Sequence, residues 1–176
     1  MLWHRLADCD VVIMLDTPNY FESKWTKQEL GRTLAKGIHI LRLIWPDHTS
    51  SRHLTLSDTI SFQKSDFNNG PRLKPAMLAL VARKTETLRS RSVATRHREI
   101  AGKLRIEVER IGGRSAGIGL YRSIAIALPN GRKVYAYPAV GIPTADLLND
   151  VHAKAQKAGQ DGIPCLVYDH FGIREK

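Results

Sequence analysis

The sequence predicts an α/β protein, built from a parallel sheet, a helical connector and a second small α/β module with a β-hairpin. Three observations predict it. The apolar runs "VVIML" at 11–15 and "IHILRLIW" at 38–45 are unbroken, as strands buried on both faces are, and a helix-sized segment separates them. Residues 74–111 are rich in helix formers, with apolar positions recurring at spacings of three and four. Further on, "YRSIAIALPNGRKVYAYPAVG" alternates on either side of Asn130 and Gly131, a strong hairpin signal.

Each element follows in order. The first run ends in "DTPNY", where Thr17, Pro18 and Asn19 are loop formers. Ser23 can cap the next helix, which should run from Trp25 to Lys36 and stop at Gly37. The second run is closed by Pro46, and strand, helix, strand with short joints makes a βαβ unit whose strands lie parallel. After the polar loop "DHTSSRHLTLSD", the segment "TISFQ" at 59–63 can add a short third strand, and Gly70 and Pro71 mark a break. One helix is expected over 74–91, with Met77, Leu80 and Val81 on one side. Another is expected over 94–111, with Ile100, Leu104, Val108 and Ile111 as its apolar stripe and Glu99, Lys103 and Glu107 as its outer one. "GGRSAGIG" at 112–119 reads as a linker. Pro143 and Thr144 open a helix over 144–158, and "IPCLVYD" at 163–169 is the last strand. The expected division is therefore 1–91, a connector over 92–117, and a module over 118–176.

Composition narrows the class. With 43% hydrophobic and 25% charged residues the chain reads as globular, and no segment approaches the roughly 18 apolar residues of a membrane helix. "MLWHRLADCD" lacks the layout of a secretory signal, so a cytoplasmic protein without membrane partners is expected. Cys9 and Cys165 lie far apart beside strand-like runs and read as two buried, reduced thiols. His48 and His53 sit in a polar loop without a Cys or carboxylate pattern, and no metal is expected there. The net charge of +10 is uneven: residues 71–133 carry 15 Lys/Arg against 4 Asp/Glu, while residues 1–70 carry 8 against 8. Such a surplus attracts phosphates, but few aromatics accompany it, so a solvated helical face is the plainer reading than a nucleic-acid platform.

Residues 6–47, "LADCDVVIMLDTPNYFESKWTKQELGRTLAKGIHILRLIWPD", resemble the second half of a TIR domain, especially the bacterial kind. The matching features are Ala7 and Asp8 before a strand, Thr17 and Pro18 after it, Tyr20, and then Ser23, Trp25 and Glu29 in the pattern S-x-W-x-x-x-E, with a strand ending in "WPD". The resemblance implies a flavodoxin-like sheet in the order 2-1-3-4-5, of which these runs would be the later strands. It implies cleavage of the bond between nicotinamide and ribose, with NAD as substrate rather than cofactor. Glu29 matches the family's catalytic glutamate. Trp25 matches an aromatic position one turn earlier, Ser23 the small polar residue opening that helix, and Tyr20 would line the substrate pocket. The family's first two strands and its nucleotide-covering loop precede the matched segment, whereas seven residues precede Asp8 here. A fragment of a longer effector is therefore expected, with an exposed "VVIML" edge.

The chemistry asks for such a residue. Breaking the nicotinamide–ribose bond expels a neutral pyridine and leaves positive charge on the sugar, which one carboxylate against the ribose can stabilise. At about 100° per residue Glu29 falls about 40° from Trp25, while Leu30 and Leu34 fall about 140° and 180° away and can face the sheet. The competing reading is a capping box: "TKQE" at 26–29 would let Glu29 bond the amide of Thr26. Asp10 and Asp16 read as a turn acid and a loop cap, Ser115 as linker, and Asp169 and His170 as a polar strand end. Three functions follow. The leading one is an NAD+ nucleosidase of TIR type in anti-phage or stress defence. A non-catalytic TIR scaffold acting by self-association is the second, and a nucleic-acid or nucleotide binder using the basic helices is the third.

Overall fold

A computed structural model describes residues 8–48 and 58–169. The chain divides into two compact units, Cys9–Thr95 and Arg96–Lys176 with Met1–Asp8. No helix among the described residues is long and apolar enough to cross a membrane.

The first unit is the expected βαβ arrangement with a third strand added. β1 (Val11–Asp16), β2 (His39–Ile44) and β3 (Asp58–Ser61) form an all-parallel sheet in the order β1-β2-β3. Side chains alternate across a strand, so the two faces collect different sets. Met14 and Ile40 form one buried cluster with Val12, Tyr20, Phe21 and Leu30, the last from α1 (Lys24–Ala35). Leu41, Leu43, Ile60 and Phe62 form the other with Leu88, Met77, Leu80 and Val81 of α2 (Pro75–Arg110).

Helix α1 begins after Ser23, as expected, and ends in a Schellman motif. The amide of Gly37 bonds the carbonyl of Leu34 and that of Ile38 bonds Thr33, which requires Gly37 at φ +64°, a value costly for residues with a Cβ. One expectation is corrected. Leu34 is 48% exposed, and the buried position beside Leu30 is Thr33. Its hydroxyl bonds back to the carbonyl of Glu29 at 2.8 Å, so its polar group is satisfied within the helix.

A second correction concerns the helical region, where the two expected helices are one of 36 residues. The stretch "RSRSVATR" at 89–96 holds neither Gly nor Pro, and serine only lowers helix propensity mildly. Ser92 is fully buried, and its hydroxyl accepts from the amide of His39 at 3.4 Å, so a small side chain lets the helix lie close on the start of β2.

The second unit is a mixed four-stranded sheet, in the order β4 (Arg114–Ile118), β5 (Ile124–Ala127), β6 (Lys133–Ala139), β7 (Ile163–Tyr168). β4-β5 and β5-β6 are antiparallel and β6-β7 is parallel. The residues read as linker thus contain a strand, and Ser115 pairs with Ile126 in it. The β5-β6 hairpin lies at Asn130 and Gly131 as expected. Between β4 and β5 the chain reverses through Tyr121 and Arg122, both at positive φ (52° and 61°), where a two-residue hairpin ordinarily places Asn and Gly. Ala101 and Val108 of α2 pack on Ile124, Ile126 and Ala136, while α3 (Ala145–Lys157) covers Tyr137 with Val151 and Ala155. Ile111, expected in the apolar stripe, lies past the helix end and is half exposed. Cys9 and Cys165 form no disulfide among the described residues and are half-buried rather than buried as expected.

Candidate functional site

The carboxyl ends of parallel strands are where open α/β sheets hold ligands, and two of the expected site residues, Tyr20 and Ser23, lie in the segment that leaves the end of β1 for α1. Beyond β1 the chain turns through Thr17–Glu22. The amide of Tyr20 bonds the carbonyl of Thr17 at 3.0 Å, and a single 3₁₀ turn spans Tyr20–Glu22. Tyr20 packs edge-to-face on Phe21, with ring centroids 5.1 Å apart, against the Met14 and Ile40 cluster. Burial raises the Tyr20 phenol above its ordinary value, and the carboxylates of Glu29 and then Asp16 raise it further. Tyr20 is therefore in electrostatic reach of both acids and keeps its proton at neutral pH.

Glu29 is half-buried on the margin of the α1 face that Leu30 and Thr33 press against the sheet. The capping-box reading fails on helix position: the N-cap is Ser23, so Thr26 already lies within the first turn. Ser23 has extended backbone angles and an exposed side chain that makes no cap hydrogen bond, which leaves its hydroxyl at the mouth of the helix. Trp25 belongs to the first turn of α1 by its backbone; its side chain lies outside what the structure describes.

Beside these residues is a group of three that the sequence reading missed. Asp16, fully buried at the end of β1, accepts from Arg42 Nε at 2.7 Å and pairs with a second guanidinium nitrogen as well. Its other oxygen lies 3.2 Å from His48 Nε2. The local sequence explains the geometry. Arg42 stands opposite Met14 in the parallel register and faces the same side as Asp16, two residues on. Trp45, Pro46, Asp47 and His48 make a turn closed by the His48 amide on the Trp45 carbonyl. Pro46 presets its first corner, and Asp47 takes φ +60°, as the third residue of a type II turn does. The turn carries the imidazole back over the end of β1. The signal was available in "IHILRLIW": an arginine inside a strand buried on both faces demands a partner, and Asp16 closes the adjacent run. Asp16 is thus an ion-pair partner, where the sequence reading made it a loop cap.

The other candidates fall elsewhere. Asp10 pairs with Arg89 at 3.5 Å, and Asp169 with Lys103 at 3.2 Å, as polar strand-end residues do. His53 and His170 lie outside the described residues. Several cations of the basic stretch are engaged: Arg89 with Glu86, Arg91 with Asp58 and Arg110 with Glu107. Cavities lie at β4–β6, at Leu34 and residues 37–40 with Asp58 and Thr95, and at residues 67–72 with Lys74, and none of these includes Tyr20, Ser23 or Glu29.

Chemically, the stretch from β1 into α1 offers a half-buried carboxylate, a neutral phenol and an exposed hydroxyl, and the turn after β2 an imidazole held by a buried acid. That set suits a polar, hydroxyl-rich ligand with developing positive charge. No protein-family model, curated protein or solved structure matches the chain.

Proposed function

We propose that the unit Cys9–Thr95 belongs to a TIR-type NAD+ nucleosidase, with Glu29 against the nicotinamide ribose. The observation that carries this reading is the packing of Tyr20 with Leu30 of α1 on the Met14 and Ile40 cluster, which sets the phenol beside the helix that holds Glu29. In the proposed reaction the bond from ribose C1′ to the nicotinamide nitrogen breaks, and its electron pair leaves with the pyridine. Glu29 hydrogen-bonds the ribose hydroxyls and stabilises the cationic sugar. Water then adds at C1′ and loses a proton, giving ADP-ribose. Tyr20 presents a neutral hydroxyl to the same sugar, and Ser23 stands at the helix entrance. Defence signalling is the cellular setting this chemistry suits.

Release of nicotinamide from NAD+, followed by chromatography, tests the reading. The Glu29→Gln variant is expected to lose at least about a hundredfold in rate, the scale of one electrostatic stabiliser, with its circular dichroism unchanged. Equal rates for the two proteins would falsify the role of Glu29.

A second reading, self-association as a scaffold, is supported by β1. It is an edge strand of the described sheet, and Ile13 and Leu15 on it are 46% and 51% exposed. Exposed apolar edges favour pairing with another chain. The double variant Ile13→Lys, Leu15→Lys is expected to shift any concentration-dependent species toward monomer in analytical ultracentrifugation; an unchanged distribution contradicts the scaffold.

A further inference from the structure

The second unit carries a trough that has no part in the site above. Its floor is the middle strand β5, where Ala125 and Ala127 alternate with the buried Ile124 and Ile126 and so point to the opposite face. The register sets longer side chains on either side. Arg114 of β4 and Lys133 of β6 both pair with Ala127, and Tyr135 of β6 pairs with Ala125. These residues, with Ala116, line a cavity of about 370 Å³, a size at the lower end of small-molecule sites. Neighbouring strands lie about 4.8 Å apart, so the two walls stand about 10 Å from each other across the alanines. That gap admits one planar ring.

Charge chooses the ligand. Arg114 and Lys133 face the floor from opposite walls over the same residue, Ala127. Lys133 gives one hydrogen bond to Asp161 at 2.6 Å, which leaves two of its three donors, and Asp161 also takes the Tyr135 hydroxyl at 2.9 Å. Asp161 thus braces the β6 wall. The Arg114 side chain, on the opposite wall, is exposed and makes no hydrogen bond or ion pair among the described residues. Asp161 offsets the charge of one of the two cations, and donors that remain on two sides suit a group with oxygens in several directions, which a tetrahedral phosphate has and a planar carboxylate lacks. Next to this end, Ala125 and Tyr135 offer a flat apolar surface where a ring can lie.

We propose that the β4-β5-β6 trough binds a ring-bearing organic phosphate of the nucleoside monophosphate class, its phosphate between Arg114 and Lys133 over Ala127 and its ring over Ala125 beside Tyr135. This stands independently of the NAD reading, since it uses none of the residues of that site.

Calorimetric titration of the intact chain with AMP, adenosine and inorganic phosphate tests it. AMP is expected to bind saturably, and adenosine and phosphate each at least about tenfold more weakly, because each keeps only one half of the contacts. Arg114→Ala removes a charged donor and Ala127→Leu fills the floor at an exposed position without touching the core; each is expected to weaken AMP about tenfold or more. Arg132→Ala, beyond the trough, is expected to leave it unchanged. Absence of saturable AMP binding overturns the proposal, as does AMP binding that neither Arg114→Ala nor Ala127→Leu weakens. Phosphate binding as tightly as AMP overturns the ring subsite.

Discussion

Arg42 donates from Nε to the fully buried carboxylate of Asp16 at 2.7 Å, across two neighbouring parallel strands, in a sheet face otherwise filled by Met14 and Ile40. Two charges taken out of water in this way stabilise little as a pair, but either one left alone is costly. Arg42→Met, which leaves the Asp16 carboxylate only the His48 imidazole, is therefore expected to lose up to about 3–5 kcal/mol in urea unfolding. The double variant Asp16→Leu, Arg42→Met is expected to lose less than Arg42→Met by itself. Additive losses would show that the pair is not coupled.

The phenol of Tyr20 gives a pH signature. Its value is raised above the ordinary 10 by burial, then by Glu29 and Asp16, so the native state holds this proton more tightly than the unfolded chain does. A raised value means stability that is complete below the unfolded value and lost as pH climbs through the folded one. Stability is expected to fall on the alkaline side, with a shallower fall in Tyr20→Phe. Tyr135, bonded to Asp161, also titrates late, so the difference between the two proteins is the quantity to measure. Identical alkaline limbs would place Tyr20 in contact with solvent rather than with the acids.

Much of this arrangement was legible in the residues, and the exceptions share a cause. Helix α1 begins after Ser23 and stops at Gly37 where expected, and the stop is written in local turn chemistry, although Ser23 makes no cap hydrogen bond. The α2 helix and β4 were misread because local composition was the only guide. The stretch between the two expected helices lies inside α2, where Ser92 is buried against His39, a contact 53 residues away in sequence. "GGRSAGIG" looked like linker because Gly and Ser weaken strands, and only the pairing of Arg114 with Ala127 and Ser115 with Ile126 makes part of it one. Glu29, Ser23 and Tyr20 could be nominated from one short stretch. Of the Asp16, Arg42 and His48 group only the need of Arg42 for a partner is legible in the residues; the meeting of the three depends on the β1-β2 register and on the turn after β2.

Ser92 offers a packing test of the continuous helix. Its side chain is fully buried beside the start of β2, so Ser92→Leu is expected to cost about 1–3 kcal/mol by overpacking. Ser92→Ala keeps the volume and loses only the long bond from His39, for about 1 kcal/mol or less. A leucine variant as stable as wild type in thermal unfolding would mean that α2 does not lie against the sheet at this point.

The central claim is that a sugar ring meets Glu29 of α1. The most direct measurement is a backbone amide NMR titration of the chain with NAD+, run on Glu29→Gln so that slow turnover leaves the substrate intact. Shifts concentrated at Tyr20, Ser23 and residue 29 are the predicted result; shifts that leave all three unmoved at saturating NAD+ would contradict it.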